Sequence, residues 1–113
     1  MRKIEVVIRE EALSKLLDAL RNNGIMPVTV YPVRGRGRQG GIVYTWREGV
    51  ERYELLPRMK VEIVVPDDLV EKTISIITET VREGVPGDGK LWVIPVEEAI
   101  RIRTGERGGK ALL

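Results

Sequence analysis

The chain has 113 residues, with 19 Lys and Arg against 17 Asp and Glu, and it contains neither Cys nor His. This length fits one domain, and 42% hydrophobic with 32% charged residues indicate an ordinary globular protein. Without Cys and His, disulfides, thiolate nucleophiles, Ser-His-Asp triads and zinc fingers are excluded. Residues 1–11 lack a long apolar run, so we expect no signal peptide or membrane span there and a cytoplasmic location.

The first part of the chain alternates between strand and helix patterns. Residues 3–8 follow the two-residue period of a strand, which sets Val7 on the face opposite to its apolar neighbours. Residues 10–23 change to helical spacing, and Gly24 marks the end of that helix. The apolar stripe of the helix consists of Leu13, Leu16, Leu17 and Leu20. Residues 26–34 predict a second strand at a partly unpaired edge, because two prolines remove hydrogen-bond donors.

The second part repeats this order after a long irregular segment. Residues 35–57 carry glycines and mixed charges without a settled period, so we expect a long functional loop. Residues 58–65 alternate as a strand, and a second helix follows Pro66 and ends before Gly84. The apolar stripe of this helix consists of Val70, Ile74, Ile77 and Val81. Residues 91–96 predict a fourth strand.

This order of elements predicts an α+β, ferredoxin-like βαββαβ sandwich formed by a single domain over residues 1–113. Both helices would cover one face of a four-stranded antiparallel sheet. The other face would carry Val7, Thr29 and Val64 among charged neighbours, and such apolar residues need a cover from another subunit or a flat ligand. We expect a short tail strand at residues 100–103 and a frayed end over the last eight residues.

Three segments suit an anionic ligand, and each has a plainer interpretation. Glycines and arginines at residues 35–41 offer backbone amides and guanidiniums to a phosphate, or form a flexible strand exit. Residues 87–90 read Gly-Asp-Gly-Lys and offer two amides and an ammonium, or form an ordinary turn. Arg101 and Arg103 would share one side of the tail strand, as an anion site or as a solvated edge. One chain can gather the three only if strand ends converge; otherwise neighbouring subunits must supply some of them.

Four blocks give the chain a family resemblance: VRGRGRQGG (33–41), LLPRMKVEIVVPDD (55–68), PGDGKLWVIPVE (86–97) and IRIRTGE (100–106). Together they resemble the PII nitrogen-regulatory signal proteins, with a tail and glycine loop similar to archaeal and thermophilic members. The resemblance implies a homotrimer of ferredoxin-like subunits that binds ATP or ADP in the clefts between them. It also implies a regulatory protein and not an enzyme.

The resemblance assigns nucleotide-binding roles by position. The adenine and ribose pocket would be lined by Val7, Thr29, Glu62, Ile63 and Val64. The base of the long loop would wrap the nucleotide through Gly35, Gly37, Arg38 and Gln39. The phosphates would be held by Gly87, Asp88, Gly89 and Lys90, and from the neighbouring subunit by Arg101 and Arg103.

The resemblance also implies a second ligand and a protein partner. 2-Oxoglutarate would join Mg-ATP, with Gln39 as a ligand of the magnesium ion, Gly41 near the acid and Arg58 facing its distal carboxylate. Residues 37–55 would form the T-loop, and residues 104–113 a C-terminal tail. The T-loop would dock on an ammonium transporter through Arg47 near its tip, which would recruit the protein to the membrane. Glutamine synthetase or another nitrogen enzyme is the alternative partner.

Several positions depart from the family pattern. Trp46 and Glu51 replace the two tyrosines of the uridylylation motif, so modification at the usual position is not available. Tyr53 lies two residues further on, as a shifted acceptor or as a plain loop aromatic. Arg58 stands where Lys is usual, which keeps the charge but changes the geometry. Glu83 stands where Thr or Ser is usual.

Two other functions are compatible with the composition. The first is an RNA-binding ferredoxin-like domain, but the chain has only five aromatic residues and no aromatic stacking motif, so we expect no nucleic-acid partner. The second is a slow ATP-hydrolysing enzyme, against which stand the absence of His and of an evident carboxylate base beside the phosphate elements.

Overall fold

The computed structural model describes residues 1–38 and 40–112, and of Tyr53 it describes the backbone alone. Two helices, α1 (Leu13–Asn22) and α2 (Val70–Val81), each follow a one-turn 3-10 segment, at residues 10–12 and 67–69. The six strands are β1 (Arg2–Ile8), β2 (Thr29–Gly35), β3 (Ile42–Trp46), β4 (Gly49–Tyr53), β5 (Leu56–Val65) and β6 (Lys90–Pro95). A last 3-10 turn covers Gly108–Ala111.

Four strands form one antiparallel sheet in the order β2-β5-β1-β6. The inward side chains of β1 and β5 pack in one core with the buried residues of both helices, so α1 and α2 lie on the same face. This arrangement confirms the predicted α+β, ferredoxin-like architecture. No helix in the described part of the chain is long and apolar enough to cross a membrane.

The core follows the predicted periods, although Leu13 and Leu17 of the first predicted stripe are only half-buried. Gly24 ends α1 at a φ of +80°, and the N–H of Ile25 reaches back to the carbonyl of Leu20 at 2.9 Å. In α2 the buried positions include Thr73, whereas Ile74 of the predicted stripe is only half-buried. Thr73 tolerates burial because its hydroxyl donates to the carbonyl of Leu69 at 2.7 Å.

The predicted loop over residues 35–57 is not irregular along its whole length. Strands β3 and β4 pair as an antiparallel ribbon closed by a two-residue turn at Arg47 and Glu48. All five residues of β3 are exposed, so no buried face imposes a hydrophobic-polar alternation, and the strand period was therefore invisible in the sequence. The content of β-branched and aromatic residues in β3 was the available signal.

The prediction of a short tail strand is wrong as well. Residues 100–103 form no strand; a single bridge joins Ile100 to Arg107, and the chain turns between them, with the N–H of Gly105 donating to the carbonyl of Arg101 at 2.7 Å. Nor does the tail fray throughout, because Leu112 is buried with 7% of its surface exposed. Burial of the Leu112 side chain therefore holds the final described turn in place.

Candidate functional site

One end of the sheet gathers two of the three segments that were predicted to suit an anion. Strands β1 and β2 end there and β5 and β6 begin there, because all neighbours are antiparallel. Val7 pairs with Lys90, and Gly35 pairs with Leu56. The glycine-arginine segment after β2 and the Gly-Asp-Gly-Lys loop before β6 therefore leave the sheet on the same side. We call this side the phosphate end.

The residues expected around adenine are spread along the sheet from the phosphate end to beyond its middle. Val7 belongs to the phosphate end, but Thr29 pairs with Glu62, and Val64 pairs with Lys3. Val7 pairs with Lys60, and Glu62 and Val64 lie two and four residues further along β5, a rise of roughly 7 and 13 Å at about 3.3 Å per residue. These residues are therefore spread along the open face and are not gathered at the phosphate end.

Ile63 is placed differently from its expected role. Its side chain is 1% exposed and packs in the core beneath the helices, because the strand alternation turns it away from the open face. It can offer a ligand only its backbone. Val7 and Val64 are half-buried on the open face, and Thr29 is exposed there, as the strand period predicted.

The Gly-Asp-Gly-Lys loop is fixed by its close approach to β1. Gly87 and Gly89 have φ values of +95° and +107°, which L side chains rarely adopt. A Cβ at Gly89 would also clash with the backbone carbonyl of Val7. Lys90, the next residue, is exposed, so its ammonium is open to an anion. Glycine at position 89 is thus required by packing as well as by conformation.

Arg9 is a residue of this site that the sequence reasoning missed. Its Nη1 lies 2.9 Å from Oδ1 of Asp88 and 3.3 Å from Oε2 of Glu83, and its Nη2 donates to the carbonyl of Pro86 at 2.9 Å. The available signal was a cation directly after β1 on the side where the acidic turn 83–88 precedes β6. That signal needs the strand pairing before it can be recognised.

Asp88 faces the protein and not the solvent-exposed side of the loop. One carboxylate oxygen accepts from Arg9, and the other accepts from the N–H groups of Glu83 at 3.0 Å and Gly84 at 2.9 Å. The hydrogen bond from Arg9 is the main cause that lowers the pKa of Asp88 to about 2. The carboxylate thus shapes the loop, and the expected part of Asp88 in holding phosphates stays a prediction.

The segment after β2 contributes exposed groups at the phosphate end. Arg38 is exposed, and the N–H of Gly40 donates to the carbonyl of Gly37 at 3.1 Å in a tight turn. Arg58 is half-buried at the start of β5, where its Nη1 donates to the carbonyl of Pro57 at 2.9 Å. Gln39, expected as a ligand of magnesium and of the nucleotide, lies outside the described residues.

The C-terminal tail that carries Arg101 and Arg103 starts at the opposite end of the sheet. Strand β6 runs from Lys90 to Pro95, so the tail begins beside the start of β1, where the N–H of Val96 donates to the carbonyl of Met1. Arg101 donates to the carbonyl of Lys110 at 3.3 Å, and Arg103 is exposed. Because residues 101–104 form a turn, the expectation that both guanidiniums share one side of a strand is wrong.

A charged cluster occupies the middle of the open sheet face. Glu5, only 6% exposed, accepts from Trp92 at 2.7 Å and lies 2.8 Å from Nζ of Lys3 and 3.2 Å from Nζ of Lys60. These partners, Lys3 first, lower the pKa of Glu5 to about 2. Such a cluster keeps its charges paired when this face is covered.

Glu62 joins the cluster from β5. Its carboxylate accepts from the hydroxyl of Tyr31 at 2.6 Å and lies 3.8 Å from Nζ of Lys3. Lys60 sits between the rings of Tyr31 and Trp92, 5.7 and 5.8 Å from their centroids. A ligand or a subunit that covers this face therefore meets a preformed polar surface.

The β3–β4 ribbon presents mostly exposed side chains. The molecule measures 61 Å in its longest dimension, whereas the ten residues of β5 span roughly 33 Å, so the ribbon projects from the sheet. A groove of about 690 Å³ separates the ribbon face carrying Tyr44 and Trp46 from the segments at residues 9–11 and 56–58. Arg47 is exposed in the turn at the ribbon's tip.

The fold is that of a small α+β domain, and one end of its sheet gathers exposed groups that suit an anionic ligand. The sequence profile of the family described as "Nitrogen regulatory protein P-II" matches residues 1–106. Over 112 residues the chain is 43% identical to the nitrogen regulatory protein P-II of Azospirillum brasilense, covering 99% of this chain and 100% of that protein. It is 45% identical to "Nitrogen regulatory protein P-II 1" of Methanothermobacter thermautotrophicus, covering 99% and 97%. The chain belongs to the P-II family of nitrogen regulatory proteins, as the four sequence blocks predicted, and the family indicates a role in nitrogen-regulatory signalling.

Proposed function

We propose that this chain is a nitrogen-signalling protein whose homotrimer binds ATP or ADP at sites shared between subunits. One observation carries the proposal: the phosphate-end groups and the start of the C-terminal tail lie at opposite ends of one sheet, with Thr29 and Glu62 on a rung between them. A second copy placed end to side against the first would complete the site. The polar open face, with Val7 and Val64 among paired charges, supplies the surface for that contact.

The groups at the phosphate end suit a nucleotide phosphate chain. Lys90 brings a positive charge, Gly87 and Gly89 let the backbone approach closely, and Arg38 is free to fork onto phosphate oxygens. Among the described residues, no group of three or more Asp or Glu side chains is able to hold a metal ion. Magnesium would therefore come with the phosphates, with Gln39 as the ligand that the family resemblance implies.

2-Oxoglutarate is the second proposed ligand. Gly41 has a φ of +100° and lies between the glycine segment and the ribbon, and Arg58 lines the groove beneath the ribbon. A dicarboxylate there would meet the Arg58 guanidinium at one end and the nucleotide's magnesium at the other. Its binding would then require Mg-ATP and would change the ribbon's surroundings.

The ribbon is the proposed output of the signal. It exposes four large apolar residues, each with 49% to 66% of its surface open to solvent: Val43, Tyr44, Trp46 and Val50. Exposed apolar groups beside Arg47 fit a protein partner, because aromatic residues and Arg dominate binding hot spots. We propose an ammonium transporter as that partner, with glutamine synthetase or another nitrogen enzyme as the alternative. The protein would work in the cytoplasm and reach the membrane through the transporter.

The state of the Asp88 carboxylate at the phosphate end also favours a binding role over ATP hydrolysis. Both oxygens of Asp88 are engaged, and its pKa of about 2 makes it a poor general base. We therefore propose no enzymatic activity.

Subunit mixing tests the shared site. Lys90→Met removes a phosphate-end group and Arg103→Met removes a tail group, and each homotrimer should bind ATP weakly in calorimetry. Co-expressed in equal amounts, the two variants should regain tight binding at about a quarter of their sites, because random assembly joins two intact halves that often. Light scattering should give three times the 12.8 kDa chain mass. A mixture that regains no binding, or a wild type that binds no nucleotide, would contradict the proposal.

A further inference from the structure

The loop before β6 is held by side chains and not by regular backbone structure. Residues 82–89 form no helix or strand in the described chain. In the hydrogen bonds that the structure gives to Glu83, Gly84 and Pro86, the partner is the Arg9 side chain, which donates, or the Asp88 carboxylate, which accepts. We call Arg9, Glu83, Pro86 and Asp88 the Arg9 clamp. This clamp and the approach of Gly89 to Val7 together define the loop's conformation.

Arg9 contacts the loop near its beginning, its middle and its end. The contacts to Glu83, the Pro86 carbonyl and Asp88 leave its side chain 17% exposed, so the charge is largely removed from water. The Pro86 carbonyl and Asp88 flank Gly87, and a Cβ at Gly87 would lie 3.0 Å from the Arg9 guanidinium. The guanidinium therefore fixes the backbone on both sides of Gly87 and packs against that residue directly.

The clamp also offsets the negative charge of two carboxylates in the loop. Asp88 and Glu83 bring two carboxylates next to the loop that is proposed to meet phosphates, and unpaired carboxylates there would repel them. Arg9 pairs with both at 2.9 and 3.3 Å. Lys90 keeps an exposed ammonium for the ligand. One guanidinium thus orders the loop and offsets charges that oppose binding.

We propose that Arg9 is a positioning residue of the nucleotide site, which raises affinity for the phosphate chain by holding the 83–90 loop without touching the nucleotide. This inference rests on the proposed nucleotide-binding function. A loop that is already ordered loses less conformational entropy when the nucleotide binds. Because this loop faces the phosphates, Arg9 should raise the affinity for the phosphate chain and not for the adenine base.

The experiment compares ATP with adenosine, which lacks phosphates. Calorimetry measures ATP affinity, and NMR titration measures adenosine affinity, for wild type, Arg9→Met, Arg9→Lys and Asp88→Asn. Arg21→Met removes an exposed arginine from the last turn of α1 and serves as the matched control. We expect Arg9→Met to weaken ATP about tenfold and adenosine less than about twofold, with Arg9→Lys in between and Arg21→Met unchanged.

Each outcome separates the positioning role from the alternatives. Unchanged ATP affinity in Arg9→Met, or an equal loss of ATP and adenosine binding, would overturn the inference. If Arg9→Met does not fold, Arg9→Lys and Asp88→Asn decide by the same ratio of ATP to adenosine affinity. A double variant Arg9→Met/Asp88→Asn should be no weaker than the single ones, because both act through one clamp. If the wild type binds neither ligand, the proposed function itself is wrong; if it binds both and the variants match it, only the role of Arg9 is wrong.

Discussion

Two segments leave the same end of the sheet and are held in opposite ways. The loop at residues 82–89 is pinned by charged hydrogen bonds of 2.9 to 3.3 Å and by the approach of Gly89 to Val7. The β3–β4 ribbon has its own ladder, and beside its root the Arg36–Glu54 pair lies at 3.5 Å with both side chains more than half exposed. The difference suits the proposed roles: a loop proposed to present groups to a ligand is fixed in advance, whereas a ribbon proposed to contact a partner has few ties to the body.

The largest effect should come from filling the space at Gly89. In Gly89→Ala the methyl group would clash with the Val7 carbonyl in a backbone region that alanine rarely adopts, so β6 must shift away from β1. We expect a loss of about 3 kcal/mol in the free energy of unfolding, measured by urea denaturation.

Gly109→Ala is the matched control, since a Cβ there meets nothing within 4 Å and its φ is not in the left-handed region. We expect its free energy of unfolding to change by less than about 0.5 kcal/mol. Equal losses in the two variants would show that the loop is not pinned against β1.

The second effect concerns the ribbon and should spare the loop. Arg47→Ala removes an exposed side chain from the ribbon's tip, so stability and nucleotide affinity should not change. Binding to the cognate partner should weaken by about 2 kcal/mol, if the arginine is a hot spot of the contact. The measurement is a pull-down from membranes that carry the transporter, with Lys15→Ala on the exposed side of α1 as control.

If the partner binds the Arg47→Ala variant as tightly as wild type, the ribbon tip is not its contact site. The same conclusion follows if Lys15→Ala weakens binding as much as Arg47→Ala does. Failure of all three proteins to bind in any nucleotide state would direct the search to another nitrogen enzyme.

The sequence predicted the parts of the molecule that have a buried side. The four sheet strands and both helices showed their periods because one face of each packs in the core. The same alternation placed Val7 and Val64 on the open face. The ribbon has no such face, and its strands were read as loop for that reason.

The site itself was only half predictable. Glycine-rich segments indicated where phosphate could bind, but their convergence depends on strand register. Arg9 contacts Glu83 and Asp88 across 74 and 79 residues of chain, a separation at which no local pattern reports a contact. The tail depends on similar long-range detail, such as the Gly108 N–H that donates to the carbonyl of Ala99.

A third test probes the pinned loop through pH. The pKa of Asp88 is lowered to about 2 from 3.8, so its ionised form stabilises the fold above pH 3.8, and this stabilisation is lost as the pH falls toward 2. Between pH 4 and pH 2, the urea midpoint should fall more steeply for wild type than for Asp88→Asn. Glu5 titrates over a similar range, and Glu5→Gln should remove its own share of the slope. Parallel curves for wild type and Asp88→Asn would contradict a pinned loop.

The smallest effect is expected at the ribbon's root. Arg36 and Glu54 approach to 3.5 Å with side chains 58% and 60% exposed, so water and salt screen the pair. Arg36→Met and Glu54→Gln should each change the urea midpoint at neutral pH hardly at all, and the double variant should show a coupling energy of about 0.5 kcal/mol or less. A larger coupling would mean that the ribbon is tied to the body as the loop is. In that case partner binding would have to break this pair, and the contrast between a fixed ligand loop and a loosely held partner arm would not hold.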